Sequence, residues 1–439
     1  MAHFEAKKNN TLSTQTIFDE GLLNPTHTNH DEAMGGVSCT LCHQIQKTTS
    51  LGKMDSFTGQ YSLNEDKLLF GQFTNPSTTE MRGATFGYTP AYGEHVELST
   101  LCATCHNLKT AYVDQFGKVL STTPESEFPE QMPYTEWEQS HYAKSPTIKQ
   151  CQDCHMARVD GVKIANRPNI PIRDNFRKHD FVGANKLMLD IFNTNKKQLG
   201  VLASTEDFNE SIEKTQAMLN SAATISTVNS SLTNSNLTFT LKITSTTGHK
   251  LPSAYPARRV ILHVKVKDAT NRIVFESGKI NNNGSIEGVD ADNDSTKFEP
   301  HYDVIDSENQ VQIYESIMGN NQNEVTYTLL RGMMYLKDNR ILPAGFNKTT
   351  APQDVKVIGD ALNDSNFIGG SDQVTYHIKG LPDNQYNIEA ELVHQPLSYA
   401  FAQDLFKETT NEGDDFKLMF DKSNFKSNQI TSHSFSMLK

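Results

Sequence analysis

All six cysteines of this chain fall into one pattern that occurs three times: Cys39-Thr-Leu-Cys42-His43, Cys102-Ala-Thr-Cys105-His106 and Cys151-Gln-Asp-Cys154-His155. In a Cys-x-x-Cys-His unit, two thiols can add to the vinyl groups of one haem as thioethers while the adjacent imidazole takes the iron as its proximal ligand. A single Cys-x-x-Cys also suits a redox dithiol or half of a zinc site. Three copies with the histidine always adjacent and no cysteine left over argue against zinc or disulfide clips, which have no need of that histidine. The pattern implies three covalently bound haem c groups, with Cys39, Cys42, Cys102, Cys105, Cys151 and Cys154 holding the porphyrins and His43, His106 and His155 the irons.

At 439 residues the chain has room for two or three domains. Hydrophobic residues at 36% and charged residues at 21%, with Gly and Pro scattered throughout, fit a loop-rich soluble protein. A net charge of -12 without any long basic run excludes a nucleic-acid partner, since binding phosphates needs a basic face. No run of about 18 apolar residues is available to span a membrane. Thioether attachment belongs to an oxidising compartment, so a periplasmic, cell-surface or extracellular location is expected. The opening Met1-Ala-His-Phe-Glu-Ala-Lys-Lys has no apolar core of a secretory signal, and is read as a processed or truncated start.

The expected fold class is multidomain α+β. A loop-rich trihaem domain with few short helices spans 1–183, a helical connector 184–223, and an antiparallel β-sandwich domain with a C-terminal helix 224–439. In the first part, Tyr88-Thr-Pro-Ala-Tyr-Gly93 and Phe128-Pro-Glu-Gln-Met-Pro133 are turn chemistry, and the macrocycles would supply the missing core. A helix is predicted over Tyr134–His141, a second over 185–199, and a third from Ser204, whose Ser-x-x-Asp is a capping pattern. Beyond about Thr224 the period becomes two: Leu237, Phe239, Leu241 and Ile243 alternate with polar residues, as do Val260 to Val266 and Tyr386 to Leu392. Further strands are expected over 272–277, 310–315, 325–330 and 373–378, about seven in all, with a helix over Leu397–Phe406 and then a polar tail.

What fills the sixth position of each iron separates electron transfer from substrate chemistry. Besides His3, the candidates are His27, His30, His95, His141 and His179, with His249 further on. His30, His95 and His141 precede a motif by nine, seven and ten residues, and ligation of a neighbouring haem suits that spacing better than wrapping round their own. His179 lies just beyond the last motif with Asp180 beside it as a candidate orienting carboxylate. Met34, Met132 and Met156 are the competing thioether ligands. Asp290, Asp292 and Asp294 lie in a long polar loop and form a candidate calcium site, although the loop lacks the glycine and final glutamate of an EF-hand.

Trp137-Glu-Gln-Ser140-His141, followed by Cys151-Gln-Asp153-Cys154-His155-Met156, resembles the haem-packaging segment of multihaem c-type cytochromes related to nitrite reductase. The resemblance covers about a third of the chain. It implies that His141 ligates a neighbouring haem and that Lys178-His179-Asp180-Phe181-Val182-Gly183 is a distal-ligand segment. Nitrite reductases carry their catalytic haem on a motif ending in lysine, which this sequence lacks. Thr247-Gly248-His249-Lys250-Leu251-Pro252 and Tyr255-Pro256-Ala257-Arg258-Arg259 resemble the β-rich C-terminal domain of secreted or surface cytochromes, with Ser253-Ala254 where Thr-Gly is expected. His249, on an inter-strand loop, is a candidate to reach back to a haem at the domain interface, the alternative being a turn histidine hydrogen-bonded locally; Arg258 and Arg259 are candidate partners of haem propionates, because guanidinium forks match carboxylates.

Together these readings point to an exported trihaem cytochrome with mostly bis-histidine irons, passing electrons between a redox donor and acceptor. Two rivals stand beside it: a reductase of a small nitrogen or sulfur oxyanion with one open iron, and a filament-forming surface cytochrome that assembles with copies of itself through its haem and β domains.

Overall fold

Each Cys-x-x-Cys-His unit folds as a short helix, because residues three and four apart share a helical face and the two thiols and the histidine must point the same way. In the computed structural model, which describes residues 21–64, 66–82, 87–144, 146, 148–382 and 384–438, these helices are α2 (Cys39–Gln44), α3 (Ser99–His106) and α5 (Cys151–His155). His3 lies outside the described residues. A short helix α1 (His30–Met34) precedes the first motif, and α4 (Pro133–Glu138), begun by a proline in its first turn, precedes the third. The first part also holds a short helix over Thr78–Arg82 and short ladders, such as Leu68–Gly71 parallel to Thr89–Tyr92, and Arg158–Val159 against Phe176–Arg177.

Two helices lead into the β part. Asn185 caps α6 (Lys186–Thr194), and Ser204 and Asp207 form a reciprocal capping box on α7 (Thr205–Asn220), as their sequence pattern predicts.

The β part is a two-sheet sandwich. Its strands are β1 (Ala223–Thr233), β2 (Asn236–Ser245), β3 (Arg259–Asp268), β4 (Ile273–Ser277), β5 (Val304–Ile305), β6 (Ile313–Gly319), β7 (Met334–Asp338), β8 (Ser371–Lys379), β9 (Tyr386–Gln395) and β10 (Asn428–Met437). One sheet has the order β5-β8-β2-β1, the other β7-β6-β3-β9-β10 with β4 also on β3. All these pairings are antiparallel except β5 with β8. The alternating apolar residues face one another: Leu237, Phe239, Leu241 and Ile243 of β2 share one core with Val260, Leu262, Val264 and Val266 of β3 and with Ile388, Ala390 and Leu392 of β9. Phe57, Ala103, Met132 and Tyr134 of the motif-bearing part belong to the same core, so the two parts are packed together.

Three sequence expectations are corrected. Residues 325–330 are not a strand: the chain returns to β6 for the single bridge of Gly319 with Val325, and β7 takes the ladder instead. The predicted strand over 310–315 is displaced along the chain to Ile313–Gly319. The polar tail holds helix α9 (Asn411–Lys422) and edge strand β10, following helix α8 (Tyr399–Leu405). Among the described residues no helix is long and apolar enough to cross a membrane.

Candidate haem sites

Two of the three motif histidines are held by their inner nitrogens. His43 Nδ1 lies 2.5 Å from the Phe70 carbonyl and His155 Nδ1 lies 2.6 Å from that of Val182. An imidazole whose Nδ1–H donates to a carbonyl keeps the Nε2 lone pair for a metal. The thiols are free in all three motifs. Among the described residues the two thiols and the imidazole of a motif do not converge as they would around one zinc ion.

Opposite two of these imidazoles stands a second one. The rings of His43 and His179 have centroids 6.1 Å apart with planes inclined by 30°, and those of His155 and His249 are 6.3 Å apart with planes inclined by 16°. An imidazole nitrogen sits about 2 Å from its metal and the ring centre about 1 Å further out, so two rings sharing one metal are about 6 Å apart. His249 Nδ1 is itself 2.9 Å from the Lys250 carbonyl, which again leaves Nε2 free. Burial draws His106, His179 and His249 below the ordinary histidine value, favouring the neutral form that ligates metals.

One segment serves two motifs. Residues 176–182 bring His179 to His43 while Val182 anchors His155. Arg177 fixes this segment: its buried guanidinium pairs with Glu97 (3.1 Å) and Asp153 (2.7 Å) and donates to the carbonyls of Gln152 and Met156. Asp180 does not orient His179 as the sequence suggests; it pairs with Lys214 at 2.9 Å, and the imidazole bonds to the Arg177 backbone instead.

The motifs are tied in chain order. Cys102 and Cys151 lie beside each other, so the second and third motifs meet at their first cysteines. The Ser99 amide and hydroxyl both donate to Gln150 Oε1 at 2.7 Å, and Gln152 Nε2 donates to the Val96 and Leu98 carbonyls. Among the described residues no imidazole faces His106 at the spacing of the other two pairs. Arg258 lies close enough to lower the pKa of His106, and burial lowers its own; it donates to the Ser253 carbonyl (2.9 Å) and pairs with no carboxylate among the described residues. A buried cation of this kind suits a propionate. Arg259, its neighbour, does not: it is bound in a fork to Asp292 at 2.9 and 2.8 Å.

The other candidate ligands make the following contacts. His95 Nε2 bonds to the Ile45 carbonyl (2.8 Å) and its ring packs on Phe70, so it clamps the first motif to the chain before the second. His141 fits against Gly345, which sits at φ +85° and where a Cβ would collide with the ring, while its amide donates to Ala344. His27 Nδ1 accepts from the Asn29 amide and His30 Nδ1 lies 2.9 Å from the Leu22 carbonyl; neither faces another imidazole among the described residues. Met132 is buried in the shared core, Met34 is exposed and Met156 is half-buried.

The three aspartates of the candidate calcium site are not brought together. Asp292 is spent on Arg259 and on the Ile286 amide, and Asp294 closes a turn by accepting from Thr296. What sequence reading missed is a buried group of His301, Asp364 and Asp372, drawn together from distant loops and a strand. Its atoms are engaged internally: His301 Nε2 with Asp364 (3.0 Å), His301 Nδ1 with the amides of Gln312 and Asn339, and Asp372 with the Tyr314 hydroxyl (2.7 Å).

The arrangement of thiols, paired imidazoles and an uncompensated guanidinium fits haem c. Neither a protein-family model nor a curated protein sequence matches the chain. Among solved structures it is similar to a penta-haem cytochrome c552 from Thermochromatium tepidum, with 12% identity, a TM-score of 0.50, and coverage of 92% of this chain and 77% of that one. The chain shares the fold of that multihaem cytochrome.

Proposed function

We propose that this chain is an exported trihaem c-type cytochrome that passes electrons between redox partners. The observation that carries the reading is the pair of facing imidazoles, His43 with His179 and His155 with His249, each at the separation one iron requires. Cys39 and Cys42, Cys102 and Cys105, and Cys151 and Cys154 would hold the porphyrins by thioether bonds, with His43, His106 and His155 as proximal ligands. Haem iron with two imidazoles supplies one-electron redox chemistry without a vacant site for substrate. The chain's own residues do the remaining work. Carbonyls of Phe70, Val182 and Lys250 hold the imidazoles in one tautomer, and the contacts among Ser99, Gln150, Cys151 and Gln152 keep the second and third motifs adjacent.

The matured, oxidised protein is expected to show low-spin signals for the irons on His43 and His155. His179→Ala and His249→Ala should each turn one iron high-spin, and retention of low-spin spectra in both variants would overturn the reading. The rival, a reductase of a small nitrogen or sulfur oxyanion, needs an open iron, and the His106 position is where it would be sought. A high-spin signal in the unaltered protein that shifts on adding nitrite, hydroxylamine or cyanide would favour that rival.

A further inference from the structure

We propose that Glu136 is the positioning residue that presents His249 to the iron on His155, by clamping one loop of the sandwich onto helix α4. The inference rests on the ligation reading above and adds the device that makes a ligand from one part of the molecule reach an iron carried by the other.

Glu136 is wholly buried on α4. Its Oε2 accepts from the Lys250 amide, the residue next to His249, at 3.1 Å, and from the Ser253 hydroxyl at 2.7 Å. Its Oε1 pairs with Arg340 Nη1 at 2.8 Å. Arg340 and Lys250 each also pair with Asp338 at 2.7 Å, so two buried anions are matched by two buried cations. On the other side of His249, Gly248 fits against Trp137 and Tyr142, where a Cβ would come within 3.3 Å of both rings, and the Tyr142 hydroxyl donates to the Thr246 carbonyl at 3.2 Å. Both flanks of His249 are thus gripped by residues of α4 and the turn after it.

A joint that served only to glue two parts together would be as stable with apolar side chains, because burying charges costs about as much as their attraction returns. What a carboxylate adds is direction. It accepts from one particular backbone amide, which fixes the register of the loop and hence where the next imidazole falls.

The test uses the full, haem-loaded chain and four variants: Glu136→Ala, Glu136→Gln, Ser253→Ala, and His249→Ala as reference. Glu136→Ala should keep all three haems by intact mass, yet show a high-spin signal from about one iron more than the unaltered protein does. That signal should match the one from His249→Ala, and the double variant should add nothing to it. Glu136→Gln retains an amide oxygen for Lys250 and Ser253 but loses the charge facing Arg340, so its high-spin fraction should be smaller; Ser253→Ala should be smaller still. These two carry the test if Glu136→Ala fails to mature. No added high-spin signal in any Glu136 or Ser253 variant, with His249→Ala adding one, would overturn the positioning role. An unchanged His249→Ala spectrum would instead overturn the ligation reading itself.

Discussion

In the sandwich, strand β6 buries all seven of its residues, and Leu237, Phe239, Leu241 and Ile243 of β2 are fully hidden. In the motif-bearing part, helix α2 buries none of its six residues, and α5 buries only Gln152. The first region supplies its own apolar interior; the second supplies thiols, imidazoles and a set of clamps beside a few core residues, and on the proposed reading macrocycles would fill the remainder. Polar clamps such as Arg177 with Glu97 and Asp153, or His95 with Ile45, set direction in this second region where side-chain packing sets it in the first.

The largest expected effect follows from removing the cofactor at one site. Cys102→Ala with Cys105→Ala should leave residues 21–183 unprotected in hydrogen exchange while β2, β3 and β9 remain protected. Equal loss in both regions would break the contrast, and so would full protection of the motif-bearing part without its haem.

Next comes Arg177, whose guanidinium is only 3% exposed and joins two carboxylates and two carbonyls. Arg177→Met leaves Glu97 and Asp153 with only the more exposed Arg158 as a cation and strips two carbonyls of their donor, and should cost up to about 3 kcal/mol in denaturant unfolding, felt in the motif-bearing part. A cost below about 1 kcal/mol would mean that the clamp is a surface pair.

How much of this was legible in the chain follows the same division. The three motifs are local and covalent, so spacing alone reveals them, and period-two alternation reveals β2, β3 and β9. His179 and His249 are marked by their neighbouring residues, but which motif each one faces depends on packing between segments distant in sequence. The regular offsets of His95 and His141 do not by themselves separate a ligand from a clamp, because seven to ten residues suit either, and His95 is seen bonded to the Ile45 carbonyl. Asp292 reads as an oxygen donor for calcium until its partner Arg259, on β3, is known. Strand β10 hides because polar residues alternate with few apolar ones at a sheet edge, and Glu136 hides because its partners lie on the sandwich.

The smallest expected effect belongs to the sandwich. Burial pushes the Asp372 carboxyl up to about 6 from an ordinary 3.8, so the folded state favours its protonated form. That contribution is fully present below the ordinary value and is lost as pH rises through about 6. Two pH units correspond to roughly 3 kcal/mol as an upper figure. Asp364 is held below the ordinary carboxylate value, despite its burial, by bonds from His301 and the Asn366 amide, so it titrates beneath this window. Buried histidines held neutral, His394 above all, tilt the overall slope the other way, so the readout is a difference: in denaturant titrations from pH 4 to 7 the stability of the unaltered protein relative to Asp372→Asn should fall, and a constant difference would place the titrating group elsewhere.

The central claim is that porphyrins are bonded to the polypeptide at three places, and intact-mass measurement of the matured protein under denaturing, reducing conditions tests it most directly. The expected result is the chain plus three haems, falling to two when one motif loses both cysteines. A bare chain, or any other number of haems, would contradict it.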